Sequence, residues 1–139
     1  MIGLNVPSAI RCLRALLFDS EMTDRESMSL AESLLETIIL AADLLTEFSE
    51  KLSEEAYLAS SLHRSAVEHQ VFIIGEALSR LSHVDAKSVK AIANARKIIS
   101  VRDALAQGHG QIEDAKVWDI LRNYLPATIA DVRALIQRP

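Results

Sequence analysis

The sequence predicts an all-α domain, an up-down antiparallel four-helix bundle with an additional short N-terminal helix, and three observations carry that expectation. Four glycines and three prolines among 139 residues are well below the roughly 12 % of average usage, too little punctuation for a many-turned β-sandwich or barrel. Apolar residues recur every three or four positions over long stretches, the period of one helix face rather than the alternation of a strand. Aromatic residues make up only 4 % of the chain, so the core must be built from Leu, Ile, Val and Ala. The length suits one domain. The expected organisation is an N-terminal extension with a short helix over residues 1–29 and a helical bundle domain over residues 30–139.

In that extension, Pro7 fits the first turn of a short helix with Ile10, Leu13 and Leu17 on one face. Thr23-x-x-Glu26 reads as a capping box opening a long helix. Its seam is Leu34, Ile38, Ala41, Leu45, Phe48 and Leu52, a spacing suited to a partner helix crossing at a shallow angle. Ser53 or Ser60/Ser61 offer new caps, and a second long helix carries Val67, Ile74, Ala77 and Leu81 on one stripe with Gln70 inside it. A third is expected from about Asp85 to Ala106, with Ala91, Ile98, Val101 and Leu105 on one face, stopping at Gly108 and Gly110. A last helix runs from about Asp114 to Gln137, with a kink or break at Pro126, after Leu125.

The net charge of −4 argues against broad nonspecific attraction to nucleic acid but leaves room for a local basic site. Charge is unevenly distributed. Ten carboxylates between Glu21 and Glu55 face only Arg25 and Lys51, whereas Asp85 to Gly110 holds Lys87, Lys90, Arg96, Lys97 and Arg102 against two aspartates. A lone cysteine, Cys12, rules out an internal disulfide framework and a Cys-rich zinc site, and no cofactor or metal is expected. No apolar run approaches a membrane span, and Arg11 and Arg14 interrupt the apolar N-terminal stretch, unlike a signal peptide. A cytoplasmic location is expected, without membrane association.

The segment Arg102-Asp103-Ala104-Leu105-Ala106-Gln107-Gly108-His109 joins charge, an imidazole and two flanking glycines at a helix end. Arginine forks onto phosphate, and histidine exchanges a proton near neutral pH. On an ideal helix the two would lie about 10.5 Å apart along the axis, so they converge only if the helix ends early and His109 folds back.

Ile73-Ile74-Gly75-Glu76-Ala77, Arg96-Lys97-Ile98-Ile99-Ser100-Val101-Arg102-Asp103, Val117-Trp118-Asp119-Ile120 and Asn123-Tyr124-Leu125-Pro126 together resemble the HepT-like group of HEPN domain proteins, over about residues 30–136. The resemblance implies a homodimer in which two Arg-x(4–6)-His motifs meet to form a metal-independent ribonuclease site. It also implies a toxin–antitoxin pairing with an MntA-like nucleotidyltransferase antitoxin, which modifies a tyrosine of the usual motif Arg-Asn-x-x-x-His-x-Tyr with AMP. On this reading Arg102 and His109 are catalytic, Arg96 and Lys97 bind RNA, and Asp103, Gln107, Gln70 and Glu76 support the site. Gln70 falls on the family's usual asparagine, and Glu76 suits a group that holds Arg102 or a partner's arginine.

The chain departs from that motif. Aligned without a gap, Asp103 stands for the asparagine, Gln107 for the histidine and His109 for the tyrosine. Glutamine accepts no proton at neutral pH, and losing a general base costs about 10²–10⁴ in rate. Either His109 takes over the base's role, or the site is degenerate and the dimer acts as a binding or regulatory partner of a nucleotidyltransferase. Elsewhere, His63 and His69 are too far out of phase for a metal pair, His83 suits a helix end, Trp118 is expected to pack on the third helix, and Tyr124 is expected in the core or on its rim.

Overall fold

The computed structural model describes residues 23–107 and 113–137; the anticipated N-terminal helix and His109 lie outside them. The described residues form an all-α bundle. Helix α1 (Asp24–Ser49) opens with the capping box: Glu26 N–H donates to Thr23 Oγ1, and Thr23 N–H donates to the Glu26 carboxylate. Ser53 caps the short α2 (Glu54–Ala59) and Ser60 caps α3 (Ser61–Val84), so both candidate cap sites are used. Asp85 caps α4 (Ala86–Lys90), and α5 spans Ala95–Gln107. One continuous helical rod completes the bundle: α6 (Asp114–Asp119), a π-helical turn (Ile120–Tyr124) and α7 (Leu125–Gln137).

Side-chain pairings fix the topology. Arg122 reaches Ser49 and Arg133 reaches Asp43, so α1 and the last rod run antiparallel. Gly75 abuts Ile98 and Arg102, while Ser82 shares a groove with Ala95, so α3 and α5 are antiparallel too. The largest interface is α1 on α3, then α3 on α5. Ile38, Val67, Val71, Ile74, Leu78, Leu81, Ile98, Val117 and Val132 are fully enclosed between them, each such burial being worth about 1.5–3 kcal/mol.

Four expectations need correction. The anticipated single third helix is broken. Ala91–Asn94 form a turn between α4 and α5, with Asn94 in the left-handed region at φ 62°, which asparagine tolerates better than most residues. The last rod pins this turn: Ala93 N–H donates to Asp131 (2.8 Å), Thr128 Oγ1 donates to Ala93 O (2.7 Å), and Asn94 Nδ2 donates to Tyr124 O (3.2 Å). On α1, the seam is buried through Leu45, but Phe48 is 37 % exposed and Ser49 takes the inward place, its hydroxyl bonded to Leu45 O. Trp118 finds its ring partners in Tyr57 of α2, at 5.0 Å between centroids, and in the Arg122 guanidinium at 4.5 Å, rather than in the third helix. Pro126 does not break the rod; the irregularity sits one turn earlier, where Leu125 N–H reaches back five residues to Ile120 O.

Candidate functional site

Arg102 sits midway along α5, where that helix crosses α3 at Gly75. The crossing is close because residue 75 lacks a side chain: a Cβ there would lie 2.4 Å from Arg102 Cβ and 3.1 Å from Ile98 O. Close approach puts Glu76, the next residue on α3, beside the guanidinium. Arg102 Nε donates to Glu76 Oε2 at 2.8 Å, Nη2 donates to the same oxygen, and Nη1 donates to Asp103 Oδ1 at 2.6 Å. Phe72, one turn before Glu76, lies 5.7 Å below the guanidinium carbon, a cation–π distance. The hydrogen bonds to Asp103 and Glu76 push the Arg102 pKa further up, so the side chain is a fixed cation at any working pH.

This arrangement leaves the guanidinium chemically competent. It has five N–H donors, and the carboxylates engage Nε, Nη2 and Nη1 once each, which leaves one donor on each terminal nitrogen. Arginine N–H groups of this kind are the donors that recognise a phosphate. The Arg102 side chain is 27 % accessible, between Glu76 at 38 % and Asp103 at 54 %. A shallow hollow of about 150 Å³, lined by Leu34, Thr37, Phe72, Ile73, Glu76, Ala77 and Arg80, opens alongside.

The other candidates divide. Glu76 and Asp103 join Arg102 directly. Gln70 does not: six residues from Glu76, it lies about 120° around α3, half-buried with no hydrogen bond to Arg102. Gln107 is exposed at the last position of α5, Arg96 and Lys97 are exposed near its start, and Lys97 Nζ rests 3.9 Å from the Tyr124 ring centre. His109 falls outside the described residues, so the structure gives no Arg102–His109 geometry.

Sequence reasoning missed Phe72 at this site and two polar clusters away from it. Phe72 was passed over because a lone aromatic on a helix carries no signal of its own. Arg122, whose Nη2 donates to both Ser49 O and Leu52 O at 2.6 Å, closes the C-terminal end of α1; only its partners across the bundle reveal that use. Glu68 and Asp114 sit together beside Arg64 and Tyr57. Burial and the neighbouring Asp114 carboxylate push the Glu68 pKa up against the opposing Arg64 charge, and Arg64 Nε pairs with Asp114 at 3.3 Å. Burial, with the Glu68 and Asp114 charges, also keeps the Tyr57 phenol protonated.

No solved structure matches the chain. A family model described as ribonuclease HepT-like matches residues 38–135, a stretch that contains the α3–α5 crossing, the Arg102 cluster, the π turn and most of α7. That span is well over half of the sequence, and the chain belongs to the HepT-like ribonuclease family.

Proposed function

We propose that this chain is the toxin of a toxin–antitoxin pair, a cytoplasmic endoribonuclease that works as a homodimer, with RNA cut where two copies of the Arg102 cluster meet. The observation that carries the reading is the Arg102 fork. It is oriented by Glu76 and Asp103, rests over Phe72, and keeps one N–H on each terminal nitrogen outside those hydrogen bonds. In the reaction, a ribose 2′-oxygen attacks the adjacent phosphorus, the 5′-oxygen leaves with its electron pair, and the products end in a 2′,3′-cyclic phosphate and a 5′-hydroxyl. The step needs a proton acceptor for the 2′-hydroxyl, a proton donor for the leaving oxygen, and charge stabilisation on the non-bridging oxygens. Arg102 supplies the last. His109 is assigned the proton transfers, and Gln107 offers a hydrogen bond only. Dimerisation is tested by sedimentation equilibrium, a monomer at micromolar protein being the contrary result.

The test is cleavage of RNA by purified protein in EDTA. Expected are cyclic-phosphate ends, loss of activity on Arg102→Ala or His109→Ala, and a higher rate on Gln107→His. Cleavage untouched by both alanine substitutions overturns the assignment.

A second reading is favoured by Asp103 and Gln107, which replace the family's asparagine and histidine: a dimer that binds a nucleotidyltransferase partner without cutting RNA. Activity created by Gln107→His in a silent parent selects it. Under either reading the partner adds no AMP to a phenolic oxygen here, since His109 occupies the tyrosine's place. Mass spectrometry after coexpression with a nucleotidyltransferase, if one is encoded beside this chain, checks this, and an adduct on His109 would reopen the question.

A further inference from the structure

We infer that the slot between α1 and the last rod is a binding site for a small, uncharged aliphatic molecule that carries a hydrogen-bond donor, the chemistry of a medium-chain alcohol or amide. The slot encloses about 400 Å³, within the usual range of small-molecule sites. Leu45, Ile74, Leu121, Leu125 and Ile129 give it aliphatic walls, and among the described residues no aromatic ring lines it. Its residues on the rod run from Arg122 to Arg133, about 16 Å of axial rise, so the occupant is elongated. No residue of the Arg102 cluster lines it, and the inference stands without the ribonuclease reading.

Hydrogen-bond accounting decides the polar end of that occupant. At the π turn, Leu125 N–H donates to Ile120 O, and Pro126 has no N–H to give. In an α-helix those two residues would serve the carbonyls of Leu121 and Arg122. One donor in register, Ala127 N–H, therefore remains for three carbonyls, those of Leu121, Arg122 and Asn123. Leu121 and Arg122 line the slot, together with Leu125 and Pro126, toward which their carbonyls run along the rod. On the α1 wall, Thr46 Oγ1 donates to Ala42 O at 3.0 Å and the Ser49 hydroxyl donates to Leu45 O, so both keep only lone pairs to offer. Leu121 is 8 % exposed and Ser49 3 %, and a buried carbonyl needs a donor. Both walls are short of donors, and a π-helical turn that releases backbone groups in this way is a recurrent feature of functional sites.

Charge decides against an ion. Glu50, Arg122 and Arg133 are the charged side chains that line the slot. Arg133 is paired with Asp43 at 2.8 Å. Arg122 gives Nη2 to the Ser49 and Leu52 carbonyls and rests over the Trp118 ring. The charges that remain, Arg122 and Glu50, sum to zero, so the slot as a whole favours neither an anion nor a cation.

The test titrates the full chain with 1-hexanol and reads the fluorescence of Trp118, the one tryptophan in the sequence, which lies 4.5 Å from the Arg122 guanidinium at the end of the slot. Methyl pentyl ether, an isomer with no donor, 1-butanol, hexanoate and hexylammonium are titrated beside it. A saturable response to 1-hexanol is expected. Binding should be about fivefold weaker for the ether, the worth of one hydrogen bond, and about fifteenfold weaker for 1-butanol, which lacks two methylenes. Both ions should bind more weakly than the alcohol. Two variants, each checked as folded by a thermal melt, locate the site. Ala130→Phe, on the exposed rim, fills the slot and should abolish the response. Pro126→Ala returns an N–H to the rod and should weaken binding about fivefold. An ether that binds as well as the alcohol, or a response that survives Ala130→Phe, overturns the inference. Tighter binding of hexanoate or hexylammonium assigns the slot to an ion and likewise overturns it. No saturable response in the full chain also overturns it and leaves the slot to a protein occupant, residues 1–22 or a second copy.

Discussion

Replacing Gly75 with alanine tests the geometry on which the site depends. In an open helix the change is favourable by about 0.5–1 kcal/mol, because glycine gives up more backbone freedom on folding. At this crossing the new methyl group would sit 2.4 Å from Arg102 Cβ and 3.1 Å from both Arg102 Cγ and Ile98 O. Carbon atoms pack at about 3.5–4.0 Å, so α3 and α5 must part by roughly 1 Å, and the obstructing atom is attached to the helix backbone and cannot swing away. Overpacking of this kind costs about 1–3 kcal/mol. The net expectation is a destabilisation of about 1–2 kcal/mol, read as a lower midpoint in urea and a melting temperature lower by several degrees. A double-mutant cycle isolates the cause. Arg102→Ala keeps the Cβ and gives no relief, whereas in an Arg102→Gly background Gly75→Ala recovers most of its cost. Unchanged or raised stability in Gly75→Ala alone, or identical costs in the alanine and glycine backgrounds, would refute the close-crossing argument.

Other parts of the structure lead to three more outcomes. Arg122→Met removes a charged donor from the Ser49 and Leu52 carbonyls and the cation from Trp118; it should cost about 2 kcal/mol in chemical denaturation, with Arg122→Lys rescuing only part. Glu68 binds its proton more tightly when folded than the ordinary value of 4.5, so its contribution to stability is present below that value and is lost as pH rises through the raised one. Glu68→Gln should therefore stabilise the protein at neutral pH and flatten this part of the pH profile above the ordinary carboxylate range, as followed by thermal melts. Asp103→Asn should strengthen RNA binding about threefold at low salt, because it removes a unit negative charge about 6 Å from the bound phosphate, with anisotropy as the readout.

The long helices were legible because local chemistry and periodicity agree. Thr23 and Glu26 announce the start of α1, and Leu34, Ile38, Ala41 and Leu45 give its inward face. The seam fails at Phe48 for a geometric reason: the buried positions Ala31, Leu35, Ile38 and Ala42 set the centre of the inward face to one side of Leu34, and at 100° per residue Phe48 falls about 40° behind Leu34 while Ser49 falls about 60° ahead of it, on the side of that centre. The α4–α5 break was hidden because Ala91, Ile92 and Ala93 suit a helix, and the interruption is imposed by Thr128 and Asp131 from across the bundle. Pro126 signalled an irregularity but not its form. Its missing N–H and its clash with the carbonyl four residues back are absorbed upstream by the π turn. Of the site, Arg102, Asp103 and Glu76 came from motif resemblance, since nothing local links residues twenty-six apart. Gln70 shares α3 with Glu76 but not its face, so it makes no hydrogen bond to Arg102.

The electrostatic balance at Arg102 explains why the site needs help from elsewhere. Two carboxylates hold one guanidinium, so the cluster carries a formal charge of about −1 and attracts no phosphate at long range. Glu76 accepts from Nε and Nη2 and orients the fork; Asp103, the more exposed of the two at 54 %, accepts from Nη1, next to any phosphate that takes the remaining N–H groups. A unit charge about 6 Å from the phosphate contributes roughly 0.7 kcal/mol of repulsion in water, a factor of about three in affinity, and ordinary salt screens part of it. Removing that charge by Asp103→Asn leaves an amide oxygen able to accept from Nη1, so the fork keeps its orientation while the repulsion goes. The gain should therefore fade as salt rises, whereas a gain from a new hydrogen bond to RNA would persist. An Asp103→Asn variant that binds RNA no better than its parent at low salt removes the repulsion argument.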